Sequence, residues 1–578
     1  MLLKKDIRGC PMTYNDRPWV RFYNEWVHPE VSIPEKTYLD YLNESFRRNP
    51  HRPALYFMGK EIVFGELEDL SARFANFLAE IGCVPGTPVS VITPNIPQNQ
   101  IANVGICRAG CVAQGISLLL TPTEMAYQLN HSGARVLIIL DLAFEQKFVK
   151  IQQEVPNLTH VVVCRIGDYL PAVKRVLGGI LGKLPTGQVT PIAGKHVLTF
   201  SEVMRNHPAQ APDVRLSPED TCLIQYTGGT TGIPKGAEVT HRNIVSCLVQ
   251  MKNWLDLKEM EEVYCSAFPF FHIAGLFVGM INLSMGNPQV LIPDPRNIEH
   301  FCKAYVKHRP TGVANVPVIY QQLAEEPAFR AADHSRCKAF ISAASPLPEK
   351  LYRRLEATVG QGKVLELFGM TETMVTSLDA PGKKKKIGSV GLPWPAYRLK
   401  IVDLESGTRE MPIGQEGELI IRGPGVMKGY WRMPEETAHA LRELDGEKWL
   451  YTGDVVRMDD DGYLYVVDRC KDMIDVRGYN VFSREVEDRL YQHPSVEFCA
   501  VVGVPDPERP GTQQVKAVIQ LKAEFRKNDP KALQSEILEH CRETLAHYKV
   551  PQAIEFVESI PLTSVGKVDK KVLRPKAS

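Results

Sequence analysis

Three features of the sequence predict an α/β fold: a large N-terminal domain with a small β-barrel-like part, followed by a small α+β C-terminal domain. At 578 residues the chain is longer than one hydrophobic core normally serves. Short β-branched runs alternate with longer helical patterns over most of its length. Beyond about residue 395 the texture changes to short strands and turns, and after Arg469 a fresh series of helices and strands begins.

In chain order, the runs "TPVSVIT" (87–93), "ARVLIIL" (134–140), "THVVVC" (159–164), "PQVLIP" (288–293) and "CKAFIS" (337–342) read as strands. They are almost continuously apolar, as strands covered on both faces must be. The later segments "YRLKIVDLESG", "GQEGELIIRGPG" and "DDDGYLYVVD" are shorter and turn-rich. In "MDDDGYLYVV" an acidic turn and a glycine separate two apolar runs, a hairpin signal. The final series, "REVEDRLYQHP", "VEFCAVVGVPD", "QVKAVIQL" and "KALQSEILEHCRETLA", spans roughly 110 residues, enough for a domain of its own. The boundary falls in "VDRCKDMI" (467–474), giving domains 1–467 and 473–578. No period of 20–50 residues recurs, which removes solenoids and propellers. The run Lys383–Lys386 in "PGKKKKIGSVG" reads as a solvated loop.

Composition narrows the class. Apolar residues are 44% and charged residues 23%, an ordinary water-soluble balance. Lys and Arg number 68 against 67 Asp and Glu, so net charge gives no argument for a nucleic-acid partner. The thirteen cysteines are scattered, without a CxxC pair or zinc-finger spacing, which speaks against a disulfide framework or structural metal and for a reducing cytoplasm. Cys107 and Cys111, four apart on one helical face, read as buried core. The start "MLLKKDIRGCPM" lacks the apolar segment of a secretory signal, and no run approaches the ~20 apolar residues that span a bilayer.

The stretch "YTGGTTGIPKG" (226–236) holds three threonines and four glycines, with Lys235 next to last. Backbone N–H groups converge on an anion only where the chain turns tightly, and glycine permits such turns. The GxxxxGK[ST] spacing of a kinase or ATPase is absent, since Pro234 precedes Lys235 and Gly236 follows it. The dinucleotide GxGxxG pattern is absent too. Alone, the stretch is either an anion cradle or a surface turn.

With its continuation "AEVTHRNI", it resembles the phosphate-binding signature of the adenylate-forming superfamily, which includes acyl-CoA synthetases, luciferases and peptide-synthetase adenylation domains. Further stretches match in order: "PFFHIAGL" (269–276), "AASPL" (343–347), "LFGMTET" (367–373), "YTGDVVRMDDDGYLYVVDRCKDMI" (451–474) and "PLTSVGKVDKKVL" (561–573). The resemblance runs from about residue 35 to the C-terminus. It implies stacked α/β subdomains in the large domain and a mobile small one. The implied reaction converts a carboxylic acid and ATP to an acyl-adenylate and pyrophosphate, then passes the acyl group to a thiol, here coenzyme A.

The same resemblance implies roles for particular residues. Thr227, Gly228, Gly229, Thr230, Thr231 and Gly232 cradle the departing phosphates, with Lys235 nearby. Glu372 holds Mg2+, for which one carboxylate plus ATP phosphates and waters is a sufficient shell. Thr371 contacts the α-phosphate. Phe368 and Gly369 flank adenine, with Ala344 and Ser345 on the backbone segment bordering adenine and acyl group. Asp454 and Arg469 bind the ribose hydroxyls. Lys567 bridges carboxylate and α-phosphate, Lys471 lies in a hinge at 468–472, and the loop holding Arg477, Gly478 and Tyr479 lines the thiol's approach. His272 gates acyl and thiol passages. Three departures stand out: Phe368 where many members have tyrosine, Asp475 where many acyl-CoA synthetases have lysine, and Ser483 in place of a common proline, a change expected to act only on the local backbone.

For the acid itself, Phe270, Phe271 and His272 offer no carboxylate to pair a substrate ammonium, which disfavours amino acids. Ile273, Ala274, Gly275 and Leu276 continue apolar, as an acyl pocket or an ordinary core helix would. The segment 167–189, "GDYLPAVKRVLGGILGKLPTGQV", is basic and amphipathic and resembles the corresponding region of bacterial long-chain fatty acid synthetases. The expectation is a medium- or long-chain fatty acyl-CoA synthetase using ATP, Mg2+ and CoA. It is expected to be cytoplasmic, with peripheral contact at the inner face of a membrane open, and to be a monomer or homodimer. The alternatives are a CoA ligase for an aromatic or alicyclic acid, and a non-catalytic nucleotide binder.

Overall fold

The computed structural model describes residues 13–182, 184–227, 233–476, 479–506, 509, 512–561 and 568–574. The five apolar runs are strands: Pro88–Ile92, Val136–Leu140, His160–Cys164, Gln289–Leu291 and Ala339–Ser342. The first two are buried along their whole length, which is why they show no polar alternation.

Two large sheets build the N-terminal part. The eight-stranded sheet runs Gly429–Tyr430, Lys235–Thr240, Thr221–Thr227, Val112–Gly115, Pro88–Ile92, Val136–Leu140, His160–Cys164 and His196–Thr199. Its inner strands are parallel, whereas Thr221–Thr227 and Lys235–Thr240 form an antiparallel hairpin. The nine-stranded sheet contains Tyr264–Ser266, Gln289–Leu291, Ala339–Ser342 and Val364–Phe368 among its strands. Helix Ile273–Ser284 is tied to the N-terminal helix Tyr38–Arg48, where Ser45 Oγ donates to the Leu283 carbonyl at 2.7 Å.

Next comes a curled antiparallel sheet of Arg398–Val402, Glu416–Arg422, Glu447–Met458, Leu441–Leu444 and Leu464–Arg469. The acidic stretch of "MDDDGYLYVV" closes a hairpin whose register pairs Met458 with Leu464. From Ile474 on, the chain packs a core of its own, with Val486, Leu490, Val501, Ile519 and Ile537 fully buried. Helix Ser483–Tyr491, strands Val496–Pro505, Gln513–Leu521 and Ala553–Val557, and helix Pro530–Arg542 surround it. The fold is thus α/β, with two α/β sheets, a curled β part and a small C-terminal domain.

The lysine run departs from its reading as a solvated loop. Lys385 is buried and bonds Asp379 at 2.6 Å and Glu366 at 3.1 Å. Lys386 bridges Asp459 and Asp461 at 2.7 and 2.8 Å, and Lys383 donates to the carbonyls of Phe22 and Tyr23. Acids and carbonyls brought in by the fold, most of them distant in sequence, take up this charge, which a local count does not register.

The twelve described cysteines are free thiols; all are buried except Cys470, which is half-buried. Among the described residues no helix is long and apolar enough to cross a membrane. Helix Ala172–Ile180 nevertheless exposes Val173, Val176, Leu177 and Ile180 together, with Leu181 following.

Candidate active site

The hairpin Thr221–Thr227/Lys235–Thr240 carries the glycine-rich loop at its tip. Gly228, Gly229, Thr230, Thr231 and Gly232 lie outside the described residues, but both stems are fixed. Thr227 pairs with Lys235 and Tyr226 with Gly236. Tyr127 donates its hydroxyl to the Pro234 carbonyl at 3.1 Å, and the Trp431 N–H donates to the Gly236 carbonyl at 2.8 Å. The short strand Gly429–Tyr430 adds to the outer edge of the hairpin.

That added strand assembles a charged cluster. Tyr430 donates its phenolic hydrogen to Glu372 Oε1 at 2.7 Å. Lys235 forms an ion pair with Glu436, and its ammonium sits 5.1 Å from the centre of the Tyr430 ring. The Met427 N–H donates to the Glu372 carbonyl at 2.8 Å, fixing the backbone beneath the carboxylate. The pair with Lys235 holds the Glu436 carboxyl below its ordinary range. The structure therefore brings Lys235 and Glu372 to one place through Tyr430, although 137 positions separate them in the numbering (372 − 235). Thr371, beside Glu372, is half-buried.

Tyr430 and Glu436 are not anticipated from the sequence. The local signal is "GYWRMPEET": Pro434 opens helix Pro434–Ala440 with Glu435 and Glu436 in its first turn, a place that favours acids.

Of the residues expected to border adenine, Phe368 ends strand Val364–Phe368 and is half-buried. Gly369 follows, where a Cβ would come 2.2 Å from the Met374 carbonyl oxygen, so only glycine fits. Ala344 has φ of 73°, a left-handed conformation that costs a non-glycine residue about 1 kcal/mol or more. Such strain gathers where backbone position matters more than local comfort. Ser345 beside it is half-buried.

Asp454 and Arg469 face each other across two antiparallel strands. Arg469 Nε lies 2.8 Å from Asp454 Oδ1, and the Asp454 side chain is 2% exposed against 38% for Arg469. This is a half-buried pair with its cationic edge outward.

His272 caps helix Ile273–Ser284, its Nδ1 accepting from the Ala274 N–H at 3.2 Å, which leaves Nε2 protonated in the neutral ring. The preceding "PFF" is held by Asn95, whose amide donates to the Ser266 and Phe268 carbonyls and accepts from the Phe270 N–H. Gln225, one residue before Tyr226, donates to the Phe271 carbonyl at 2.8 Å, so the hairpin that carries the glycine-rich loop and the His272 segment are directly linked. Ile273, Gly275 and Leu276 are buried and Ala274 is half-buried. Gly275 is required, since a Cβ there would lie 2.2 Å from the Pro269 carbonyl oxygen. Of these four predicted acyl-pocket residues, Leu276 lines an internal cavity, with Tyr38, Gln100, Val104 and Met280. At ≈ 20 Å³ that cavity has room for one water, not an acyl chain.

At the junction with the small domain, Lys471 and Asp472 form a turn. Arg574 reaches the Lys471 carbonyl at 3.3 Å and Asp472 at 2.6 Å, and burial pulls the Lys471 ammonium below its ordinary range. Ser483 does more than replace a proline locally. Its N–H and hydroxyl both donate to the Asp468 carboxylate, and Lys570 donates to its hydroxyl at 2.6 Å. A proline offers neither donor. Lys570 also pairs with Glu487 at 2.7 Å. Arg477, Gly478 and Lys567 fall outside the described residues. Tyr479 is exposed and stacks on Tyr548 with centroids 4.8 Å apart, and Asp475 is exposed.

Residues 42–431 match the model of the AMP-binding enzyme family, and residues 485–567 match the AMP-binding enzyme C-terminal domain. The chain is 36% identical over 564 residues to a long-chain-fatty-acid–CoA ligase of Bacillus subtilis (strain 168), covering 97% of this chain and 98% of the relative. It is 33% identical over 531 residues to a feruloyl-CoA synthase of an Amycolatopsis species, covering 91% and 96%. Among solved structures, an anthranilate CoA ligase in complex with anthranoyl-AMP superposes with a TM-score of 0.79 at 28% identity, covering 97% of this chain and 98% of that one.

Proposed function

The chain belongs to the AMP-binding enzyme family, and from that premise we propose that it joins a medium- or long-chain fatty acid to coenzyme A. It is an adenylate-forming acid–CoA ligase that uses ATP. The fatty substrate is the finer reading. The observation carrying it is 36% identity over nearly the full length to a long-chain-fatty-acid–CoA ligase. It is supported by the apolar helix Ile273–Ser284 behind His272, where 270–272 offers no carboxylate for a substrate ammonium.

In the first step a carboxylate oxygen attacks the α-phosphorus of ATP, the bond to the β-phosphate oxygen breaks, and pyrophosphate leaves with that electron pair. Negative charge grows around phosphorus, so donors and cations fixed in advance lower the barrier. In this reading the loop 227–232 and Lys235 hold the outgoing phosphates, Thr371 touches the α-phosphate, and Lys567 follows the charge between acid and phosphorus. Phe368, Gly369, Ala344 and Ser345 border adenine, and the Asp454–Arg469 pair takes the ribose hydroxyls. Glu372 would hold Mg2+, which screens phosphate charge when bound; a hard oxygen donor anchored by Tyr430 fits that ion.

In the second step the thiol sulfur of CoA attacks the acyl carbon, the acyl–phosphate bond breaks, AMP departs, and the thiol proton is lost to solvent. Rotation at 468–472, centred on Lys471, carries the 473–578 domain from a Lys567-inward arrangement to one presenting Arg477, Gly478 and Tyr479. His272, on the link between hairpin and apolar helix, separates acyl and thiol passages. Because the cavity beside Leu276 is small, an acyl chain enters by displacing side chains of that wall. Helix Ala172–Ile180 rests on a membrane interface, where its exposed valines, leucines and isoleucine find apolar contact.

A second reading, a CoA ligase for an aromatic acid, is favoured by the feruloyl-CoA synthase and anthranilate CoA ligase likenesses. Pyrophosphate release across fatty, aromatic and amino acids, with and without CoA, separates the two. Turnover with dodecanoate or hexadecanoate well above benzoate and ferulate is expected; the reverse order overturns the fatty-acid reading.

A further inference from the structure

Behind the Leu276 wall, on the protein side of the same small cavity, three soft or borderline ligands meet in the interior. Cys107 lies on helix Pro97–Arg108, Cys222 on the first strand of the phosphate hairpin, and His241 opens helix His241–Leu255. The two sulfurs and one ring nitrogen all lie within 4.8 Å of one another. Cys107, Cys222 and His241 are 5%, 5% and 3% exposed. His241 Nδ1 is buried and has no hydrogen-bond partner, a costly state for a core nitrogen that a metal ion would relieve.

We propose that Cys107, Cys222 and His241 bind one zinc ion. Two thiolates and a neutral imidazole around Zn2+ sum to zero charge, the arrangement a dry interior tolerates best. Tetrahedral zinc, with bonds of about 2.3 Å to sulfur and about 2.0 Å to nitrogen, sets its ligand atoms about 3.5 Å apart, within the 4.8 Å that bounds the three atoms here, so small side-chain shifts close the site. Cys107 and Cys222 also line the ≈ 20 Å³ cavity beside Leu276, which can hold the water that completes the shell. Burial holds the His241 imidazole down to about 4, so it is neutral and ready to ligate. The hydrogen bond with Cys107, and then burial, push the Cys222 thiol well above its ordinary range. Binding therefore forms two Zn–S bonds and one Zn–N bond and releases two protons to solvent. The ion would cross-link the base of the phosphate hairpin to two helices.

The test uses the reduced full-length chain, freed of metal by chelator, dialysed and titrated with Co2+. One equivalent should produce thiolate-to-cobalt charge-transfer absorption with tetrahedral d–d bands, displaced by Zn2+, with two protons released per ion. Cys222→Ser and His241→Gln should each weaken Co2+ binding by about a hundredfold or more. Should a variant fold poorly, alkylation of the unmodified protein decides, run at a urea concentration where the metal-free chain exposes and reacts at its buried thiols: bound Zn2+ should protect two of them, mapped by mass spectrometry to positions 107 and 222. Absence of the bands, bands that survive Cys222→Ser in a folded protein, alkylation unchanged by Zn2+, or a Cys107–Cys222 disulfide in the purified chain would each overturn the proposal.

Discussion

Tyr430 donates a hydrogen bond of 2.7 Å to Glu372 Oε1, and its ring lies beneath the Lys235 ammonium. One phenol thus orients the carboxylate proposed to hold magnesium and lies beside the lysine proposed to hold phosphate. Hydrogen bonds to charged groups contribute about 1.5–3 kcal/mol, so Tyr430→Phe should slow pyrophosphate release about tenfold or more. The Mg2+ concentration for half-maximal rate should rise as well. Steady-state assays across a magnesium series check this; an unchanged magnesium dependence would detach Tyr430 from the metal.

With Lys235 in its proposed role on the phosphates, Glu436, its ion-pair partner, competes with ATP for it. Substituting Glu436→Gln should lower KM for ATP by up to about fivefold, the scale of a partly exposed ion pair. The sign with pH follows from the depressed Glu436 carboxyl. The pair is intact above the ordinary glutamate range and dissolves as pH falls through the lower folded value. KM for ATP in the native chain should therefore fall towards that of the variant only at acid pH. The comparison is read from paired pH profiles.

Ser483 sits between Asp468 and Lys570. Ser483→Pro removes both donors to Asp468 and should destabilise the C-terminal domain by about 2 kcal/mol or more. Ser483→Ala should cost less, since it keeps the N–H. A cycle combining Ser483→Ala with Lys570→Met should show coupling above about 0.5 kcal/mol in chemical denaturation if the contact persists in solution.

Helix Ala172–Ile180 gives a surface prediction. Val176→Asp with Ile180→Asp should reduce co-sedimentation with anionic phosphatidylglycerol vesicles about tenfold. Turnover of a short, freely soluble acid should be unchanged. Equal sedimentation by both proteins would sink the membrane reading.

Much of the fold is legible in the sequence because its central strands are covered on both faces, so apolar runs such as 136–140 stand out without alternation. The acidic hairpin before Leu464 announces itself through turn chemistry. The site is legible only in pieces. Glu372 and Lys235 belong to recognisable stretches, but Tyr430 joins them through the register of a two-residue edge strand, which tertiary packing decides. The lysine run and Ser483 mislead for a related reason: the carboxylates that receive Lys386 and Ser483 lie remote in sequence or across the domain junction, and the fold buries Lys385 beside Glu366 and Asp379. Cys107, Cys222 and His241 have no metal-site spacing because they come from three separate elements.

The state of the cysteines bears on the enzyme's own survival. An acyl-adenylate is an electrophile, and a chain that makes one beside a free thiolate would acylate itself. Cys470, next to Arg469, is the one described cysteine that is not buried, and burial pushes its thiol up to about 12. It stays protonated and poorly nucleophilic at neutral pH. The thiol beside Arg469 therefore does not compete as a thiolate with the incoming acceptor, and the activated acyl group is left for the thiol that diffuses in.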